Sequence, residues 1–313
     1  MSPVHPQRLQ LLDTASLYFR AFYGVPDTFR DASGAPVNAI RGLIDMIARL
    51  VGEYRPTHLV ACWDDDWRPA WRVALIPSYK AHRVAEVVEV GPDVEVTPDP
   101  LEAQIPRIRE VLGLFGIPIV GAAEHEADDV IGTLATGASM PVDVVTGDRD
   151  LFQLIDDAAD VRVISTVRGM SNLEVLTEAP VLAKYGVRPD QYADFATLRG
   201  DASDGLPGVA GVGEKTAQAL LASFGSLAGV QAASSDASAP MSAGVRAKLA
   251  AAADYLAVAP TVVRVVRDLP LGFDVATAKL GPVDEAARER LLVLVDEWNL
   301  GGSVARLLAV LDA

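Results

Sequence analysis

The sequence predicts an α/β protein. Short apolar runs alternate with helix-patterned stretches along most of the chain, the pattern of strands joined by crossover helices. Several of these runs end on an aspartate. Half of the 313 residues are hydrophobic, enough for a sizeable core divided between about two domains of roughly 100–200 residues.

Residues 8–13 read as a buried strand that ends on Asp13. Residues 15–23 are helical and aromatic-rich, with Arg20 on an otherwise apolar stretch, and residues 31–36 are a turn by composition. Asn38 is expected to cap a helix running to about residue 54, with Ile40, Leu43, Ile44, Ile47 and Leu50 on one face. Residues 58–63 form the second strand, followed at once by Asp64. Residues 67–85 contain Arg68, Arg72, Lys80, His82 and Arg83 and no acid. Residues 84–106 are the reverse, with Glu86, Glu89, Asp93, Glu95, Asp99 and Glu102 and no Lys or Arg. Gly91, Pro92, Pro98 and Pro100 interrupt that stretch, which reads as a mobile, solvated connection whose charge needs no further role.

A helix over 101–115 and a strand over 117–120 follow. Glu126-Ala127-Asp128-Asp129 then opens an apolar helix, and a strand from Val142 ends at Thr146-Gly147-Asp148-Arg149-Asp150, with both acids just past it. Another strand covers 161–164, and helices cover 180–185 and 191–198. Composition breaks near Gly200, and residues 200–212 are glycine-rich. Residues 214–224, 247–257 and 284–298 read as helices, and 232–244 as a low-complexity loop. The expected division is a sheet domain over 1–180 and a helical region over 181–313.

Net charge is −15. Alone this argues against nucleic acid, which normally meets a basic face, but cations bound among clustered acids reverse the local sign. One cysteine, Cys62, excludes a disulfide framework and suits a reducing compartment. The first residues lack a signal pattern, and no apolar stretch suggests a membrane span. A cytoplasmic, nucleoid-associated monomer is the expectation.

The acids carry the chemistry. Parallel α/β sheets place functional groups just past the carboxyl ends of their strands. Asp13, Asp64 and the pair Asp148/Asp150 sit there, and Glu126 to Asp129 open a helix behind another strand. One such aspartate is best read as a helix cap; all of them together are not. Crowded carboxylates stay ionised only with cations among them, and hard divalent ions, Mg²⁺ or Mn²⁺, suit oxygen ligands. No His or Cys cluster has zinc spacing, and His125 reads as a surface neighbour. Asp201 and Asp204 add a further pair on one turn. Two metals held by acids from several elements are the usual arrangement for phosphodiester hydrolysis.

Directly after Asp204, Gly208, Gly211 and Gly213 permit a tight hairpin, and Lys215 and Thr216 open the helix behind it. Such a hairpin offers backbone amides to phosphate and grips a strand without reading its sequence. The Gly-Lys-Ser/Thr order of a P-loop is absent.

In order and spacing, Asp13 with Arg20, Asp64, Tyr79-Lys80-Ala81-His82-Arg83, Glu126-Ala127-Asp128-Asp129, Thr146-Gly147-Asp148-Arg149-Asp150 and the stretch from Gly200 to Ala217 resemble the bacterial 5′ nuclease family. That family includes the 5′–3′ exonuclease domain of DNA polymerase I, phage exonucleases and flap endonucleases. The resemblance covers nearly the whole chain. It implies a PIN-like parallel-sheet nuclease core carrying a helix–three-turn–helix DNA-binding module. It implies divalent-metal hydrolysis of DNA with a free 5′ end, both exonucleolytic and at 5′ flaps, in replication or repair alongside proteins of those processes. Asp13, Asp64, Glu126 and Asp128 match the first-metal side, Asp148, Asp150 and Asp201 the second, and Asp129 and Asp204 outer or shared acids. Arg20, Lys80 and Arg83 match residues that grip the scissile phosphate, and Tyr79 an aromatic that stacks on a base or packs beneath the connecting segment. The carbonyls of Gly208, Val209 and Val212 match a potassium site that bridges to phosphate.

Three departures stand out. Thr14 follows Asp13 where glycine is common, and Gly205 stands where asparagine is common. Residues 84–106 correspond to the arch or clamp over the 5′ strand, yet here they are acidic and broken by proline. With no polymerase domain, the chain reads as a stand-alone nuclease. The competing readings are a non-catalytic DNA-binding paralogue and a PIN-type ribonuclease.

Overall fold

A computed structural model describes residues 7–88 and 91–313. The expectation for residues 1–6, and the part of the acidic segment at 89–90, lie outside the described residues.

A six-stranded sheet organises the molecule. Its strands are β1 (Leu9–Asp13), β2 (His58–Cys62), β5 (Ile119–Val120), β6 (Val142–Thr146), β7 (Val161–Ser165) and β8 (Glu174–Leu176), in the order β5-β2-β1-β6-β7-β8. The first five in that order are mutually parallel, and β8 closes the edge antiparallel to β7. From β1 the chain moves out to β2 and β5, then returns to the other side of β1 as β6. β1 and β6 therefore flank the topological switch point, where a crevice opens beyond the strand ends. Asp13 is the last residue of β1, and Asp148 lies two past the end of β6.

Strand alternation builds two cores. Leu9, Leu11, Val60 and Val144 face one way, onto helix Ala127–Gly137 and onto Tyr192, Phe195, Val209 and Leu221 of the helical region. Leu12, Leu59, Ala61 and Val145 face the other, onto helices Thr14–Gly24, Asn38–Tyr54 and Ile105–Leu114. Helices Glu285–Glu297 and Ser303–Leu311 follow the helical region in sequence but pack in this second core, with Leu291, Leu307 and Leu311 buried among residues of the sheet domain. A third, small cluster, including Ile76, Tyr79, Ala196 and Leu206, joins segment 70–80 to the helical region.

Several local expectations differ from what forms. Val37, not Asn38, stands at the N-cap of helix Asn38–Tyr54. The Asn38 amide donates instead to the carbonyls of Phe22 (2.7 Å) and Val25 (3.2 Å), tying two helices together. The loop expected over 232–244 is helical at both ends, in Leu227–Ser235 and Ala243–Ala251. The acidic segment folds as a ribbon, β3 (Val84–Glu86) against β4 (Val94–Glu95). The Trp67 indole donates to the Asp93 carbonyl at 2.7 Å, and Arg68 pairs with the Asp93 carboxylate, so two side chains from the basic stretch pin it.

Candidate active site

The strand ends open into a cleft of about 370 Å³ lined by Asp13, Asp64, Glu126, Asp128 and Asp148 together with Arg20, Lys80 and Arg83. Five expected acids and all three expected phosphate-gripping cations thus share one cavity. On the far side of Glu126 and Asp128, a smaller recess adds Asp150 and Asp204 beside Arg72 and Tyr79. Asp128 and Glu126 line both.

Each acid is held by the element that delivers it. Asp13 caps helix Thr14–Gly24 through the Ser16 N–H (3.2 Å) and accepts the Thr146 hydroxyl of neighbouring β6 at 2.6 Å. Asp64 accepts the Ala127 N–H at 2.7 Å, which seats the strand end on the start of the next helix. The Asp150 N–H donates to Asp148 (2.9 Å), and the Asp148 N–H to the Thr146 hydroxyl (2.8 Å). Asp201 closes the turn before the glycine hairpin by accepting from Ser203 and from Arg199 (3.0 Å).

The acids repel one another. Burial, with the nearby charges of Asp64 and Asp148, pushes the Asp13 carboxyl up to about 7. Burial raises Asp64 as well. Burial, then Asp148 and Asp13, push Asp128 well above the carboxylate range. Burial, then Asp148, Asp204 and Asp201, do the same to Asp150, and Asp204 is raised chiefly by burial. Glu126 goes the other way, down. Burial opposes its charge, but Lys80 and Arg72, with the Tyr79 hydroxyl, outweigh it.

This donor set fits hard divalent cations: it is all oxygen, it is underneutralised, and it comes from separate elements. Among the described residues, no three His, Cys, Asp or Glu side chains stand close enough to grip one ion as placed. Mutually repelling carboxylates line walls rather than converge, and a cation reverses that force. Asp13, Asp64, Glu126, Asp128 and Asp148 would hold an ion on one side, and Asp128, Asp150 and Asp204 on the other.

Four expected site residues are placed differently. Asp148, expected on the second-metal side, lines the cleft with the first-side acids, and Asp201, held on its turn by Arg199 and Ser203, lines neither recess. Asp129 turns away from the cleft and is fully buried. It takes a bidentate pair with Arg72 (2.7 and 3.0 Å), and its oxygens also accept the N–H groups of Glu126 (3.3 Å) and Val266 (2.8 Å). Adjacent helix residues point about 100° apart, and here Asp128 lines the cleft while Asp129 points to Arg72. Tyr79 is 4 % exposed and donates its hydroxyl to Glu126 at 2.7 Å, so it supports a carboxylate and presents no free face to a base.

Arg72 is the residue that sequence reasoning missed. It is buried, bonds Glu126 (2.9 Å) and Asp129, and reaches the Val262 carbonyl at 3.2 Å. Its signal was an arginine on a short helix, Ala70–Leu75, in a stretch free of acids, so its partner had to be distant. Glu95 of the ribbon also lines the cleft. Arg20 does so without an ion-pair partner among the described residues, and its Nε is buried and unbonded.

The hairpin that follows is built on glycine. Gly208 has φ of +66°, and a Cβ there would stand 2.5 Å from the Gly200 nitrogen. Val209 and Val212 anchor the turn in the core, and the Gly211 carbonyl accepts the Lys248 ammonium at 2.8 Å. Lys215 and Thr216 lie in the first turn of helix Glu214–Phe224, behind Gly213. A larger cavity, about 1220 Å³, lies by Gln153, Arg188, Arg264 and Arg267, away from these acids. Its arginines are engaged by Asp190, Asp194 and the Gln153 carbonyl, and it offers no comparable chemistry.

Comparison with known proteins shows the family. Residues 8–186 match the family described as "5'-3' exonuclease, N-terminal resolvase-like domain", and residues 187–286 match "5'-3' exonuclease, C-terminal SAM fold". A "5'-3' exonuclease" of Streptomyces coelicolor is 58 % identical over 97 % of this chain and 100 % of its own length. Another, from Mycobacterium tuberculosis, is 48 % identical over 97 % of this chain and 98 % of its own. Among solved structures, T5 5'-exonuclease with bound divalent zinc has a TM-score of 0.63 at 19 % identity, covering 82 % of this chain and 89 % of that one. The catalytic core of Rad2 in complex with DNA substrate has a TM-score of 0.59 at 19 % identity, covering 98 % and 93 %. These two likenesses concern the fold.

Proposed function

Because this chain belongs to the 5′–3′ exonuclease family, we propose that it hydrolyses DNA phosphodiesters near a free 5′ end, both at duplex ends and at 5′ flaps, by a divalent-metal mechanism. The cleft that gathers five carboxylates and three cations at the strand ends carries this reading. Bound there, divalent ions supply an activated water and charge stabilisation at the leaving oxygen.

The chain's own residues do the rest. Arg20, Lys80 and Arg83 line the same cleft as the acids, so a phosphate entering it meets cations beside the acids that would bear the metals. Arg83 donates to the Ser203 carbonyl at 2.8 Å, which ties the phosphate grip to the turn bearing Asp201 and Asp204. Asp128 and Glu126 line both recesses, and because Arg72 and Tyr79 fill Glu126 Oε1, Asp128 is the acid we assign to both ions. The ions are Mg²⁺ or Mn²⁺ on the chemistry of an all-carboxylate set. The hairpin at 208–216 holds the duplex by its backbone, with Gly208, Gly211, Gly213, Lys215 and Thr216 meeting phosphates. K⁺ on the carbonyls of Gly208, Val209 and Val212 would let an acidic protein approach DNA.

The test is a 5′-labelled flap duplex and the same duplex without the flap, each incubated with Mg²⁺ or Mn²⁺. Metal-dependent cleavage at the flap base and stepwise 5′ trimming are expected; binding without cleavage would support a non-catalytic DNA-binding role. Asp148→Asn should abolish cleavage and leave flap binding largely intact, and normal turnover by that variant would refute this assignment of the metal acids.

A further inference from the structure

The two oxygens of Glu126 are unequal. Oε1 accepts Arg72 at 2.9 Å and the Tyr79 hydroxyl at 2.7 Å. Both donors are buried, so both lone pairs of that oxygen are filled. Among the described residues, Oε2 accepts the Lys80 ammonium. A cation approaching Glu126 therefore has one oxygen open to it, and Lys80 stands on it.

Lys80 borders a second partner's path. Its backbone is fixed in the left-handed region at φ 47°, and its N–H donates to the Asp204 carbonyl at 2.9 Å. Beyond that anchor its side chain is a flexible stem carrying a compact charge. The cleft it borders with Arg20 and Arg83 gives the ammonium a second destination, a substrate phosphate. Its other contact, with the Trp67 carbonyl at 3.4 Å, is long.

We propose that Lys80 is a latch on Glu126: in the DNA-free protein it occupies the one oxygen through which Glu126 can ligate an ion, and it moves to the substrate phosphate when that ion binds. The inference rests on the metal-dependent reading of the site given above. It makes ion and phosphate cooperative. Each removes a competitor of the other, and such coupling is reciprocal. The enzyme without substrate is then held in a state that binds its ion weakly, and the phosphate that needs the ion completes its site.

The measurement is Mn²⁺ binding to DNA-free protein by titration calorimetry, with water-proton relaxation as a second readout. Lys80→Met should bind its first ion roughly five- to 150-fold more tightly than wild type, the usual range for coupled sites. Arg20→Met removes the same charge from the same cleft but is paired with no carboxylate among the described residues, so its gain should be clearly smaller. In a Glu126→Gln background, Lys80→Met should add little. Lys80→Gln provides a second polar variant if Lys80→Met fails to fold, which a thermal melt will show. Equal tightening by Lys80→Met and Arg20→Met, persistence of the effect in Glu126→Gln, or weaker binding would each overturn the latch. Wild-type cleavage of a flap with no Lys80 effect on ion binding overturns the latch alone. Wild-type ion binding without cleavage overturns the nuclease reading, while the latch is judged by the binding data.

Discussion

Arg72→Met removes the cation that holds Glu126 and Asp129 in place, and the structure sets the size of the effect. The Arg72 side chain is 3 % exposed, and Asp129 is fully buried opposite it. Methionine fills much of the same volume but leaves a buried carboxylate without its counter-charge, a change that costs about 3–5 kcal/mol in folded proteins. Backbone N–H groups from Glu126 and Val266 still reach Asp129, so the loss should sit nearer the lower figure. The pH dependence follows from Glu126. In the wild type, Lys80 and Arg72 overcome burial and hold its folded pKa below the ordinary 4.5. Stability from that depression is present above about pH 4.5 and lost as pH falls through the folded value. Arg72→Met gives up part of it, so the gap between the two proteins should be widest at neutral pH and narrow in acid. Urea denaturation of metal-free protein at neutral pH and near pH 4 measures both quantities. A loss below about 1 kcal/mol at neutral pH, the value of an exposed pair, would refute the claim that this guanidinium is a buried structural counter-charge.

Asp13 makes the opposite prediction for metal-free protein. Its folded pKa is raised from 3.8 to about 7, first by burial and then by Asp64 and Asp148, so the folded state binds a proton the unfolded state has lost. Stability should fall as pH rises from about 4 to about 7, and saturating Mn²⁺ should abolish the trend; a metal-free melting temperature that is flat or rising over that window would refute it. Gly205→Ala should destabilise by roughly 1–3 kcal/mol and lower the cleavage rate. Gly205 has φ of +68°, and a Cβ there would lie 2.1 Å from the Ser78 carbonyl oxygen. Gly205→Asn separates the two causes, because asparagine tolerates the left-handed backbone but carries the same Cβ; full activity and stability in that variant would show that the close approach to Ser78 does not matter.

The strand-end acids were legible because a parallel sheet forces them to one edge, and strand polarity can be read from crossover helices. Asp13 and Asp64 needed only the apolar runs before them. Which carboxylate faces the cleft was not legible, because that depends on a partner far along the chain. Asp128 and Asp129 look alike in sequence, and only Arg72, 57 residues from Asp129, distinguishes them. Tyr79 was ambiguous for the same reason, since its hydroxyl is spoken for by Glu126, 47 residues on. The ribbon at 84–95 was hidden by its composition. Proline and repeated acids suggest a solvated connection, whereas its anchor is one aspartate, Asp93, caught by Trp67 and Arg68 from the preceding basic stretch. The short edge strand Glu174–Leu176 carries too few residues to show an alternation.

The charge asymmetry between residues 67–85 and their surroundings takes on a structural meaning here. That stretch supplies Arg68 to Asp93, Arg72 to Glu126 and Asp129, Lys80 to Glu126, and Arg83 to Asp204 at 3.4 Å. One acid-free segment therefore provides counter-charges to the ribbon, to the helix start and to the turn before the hairpin. A chain with a net charge of −15 can crowd its acids at one sheet edge because this segment threads between them. Arg72 is fixed and structural, whereas Lys80 and Arg83 border the open cleft. The division follows from burial: the guanidinium sealed behind Glu126 can only hold it, while the ammonium at its open oxygen can be exchanged for an ion.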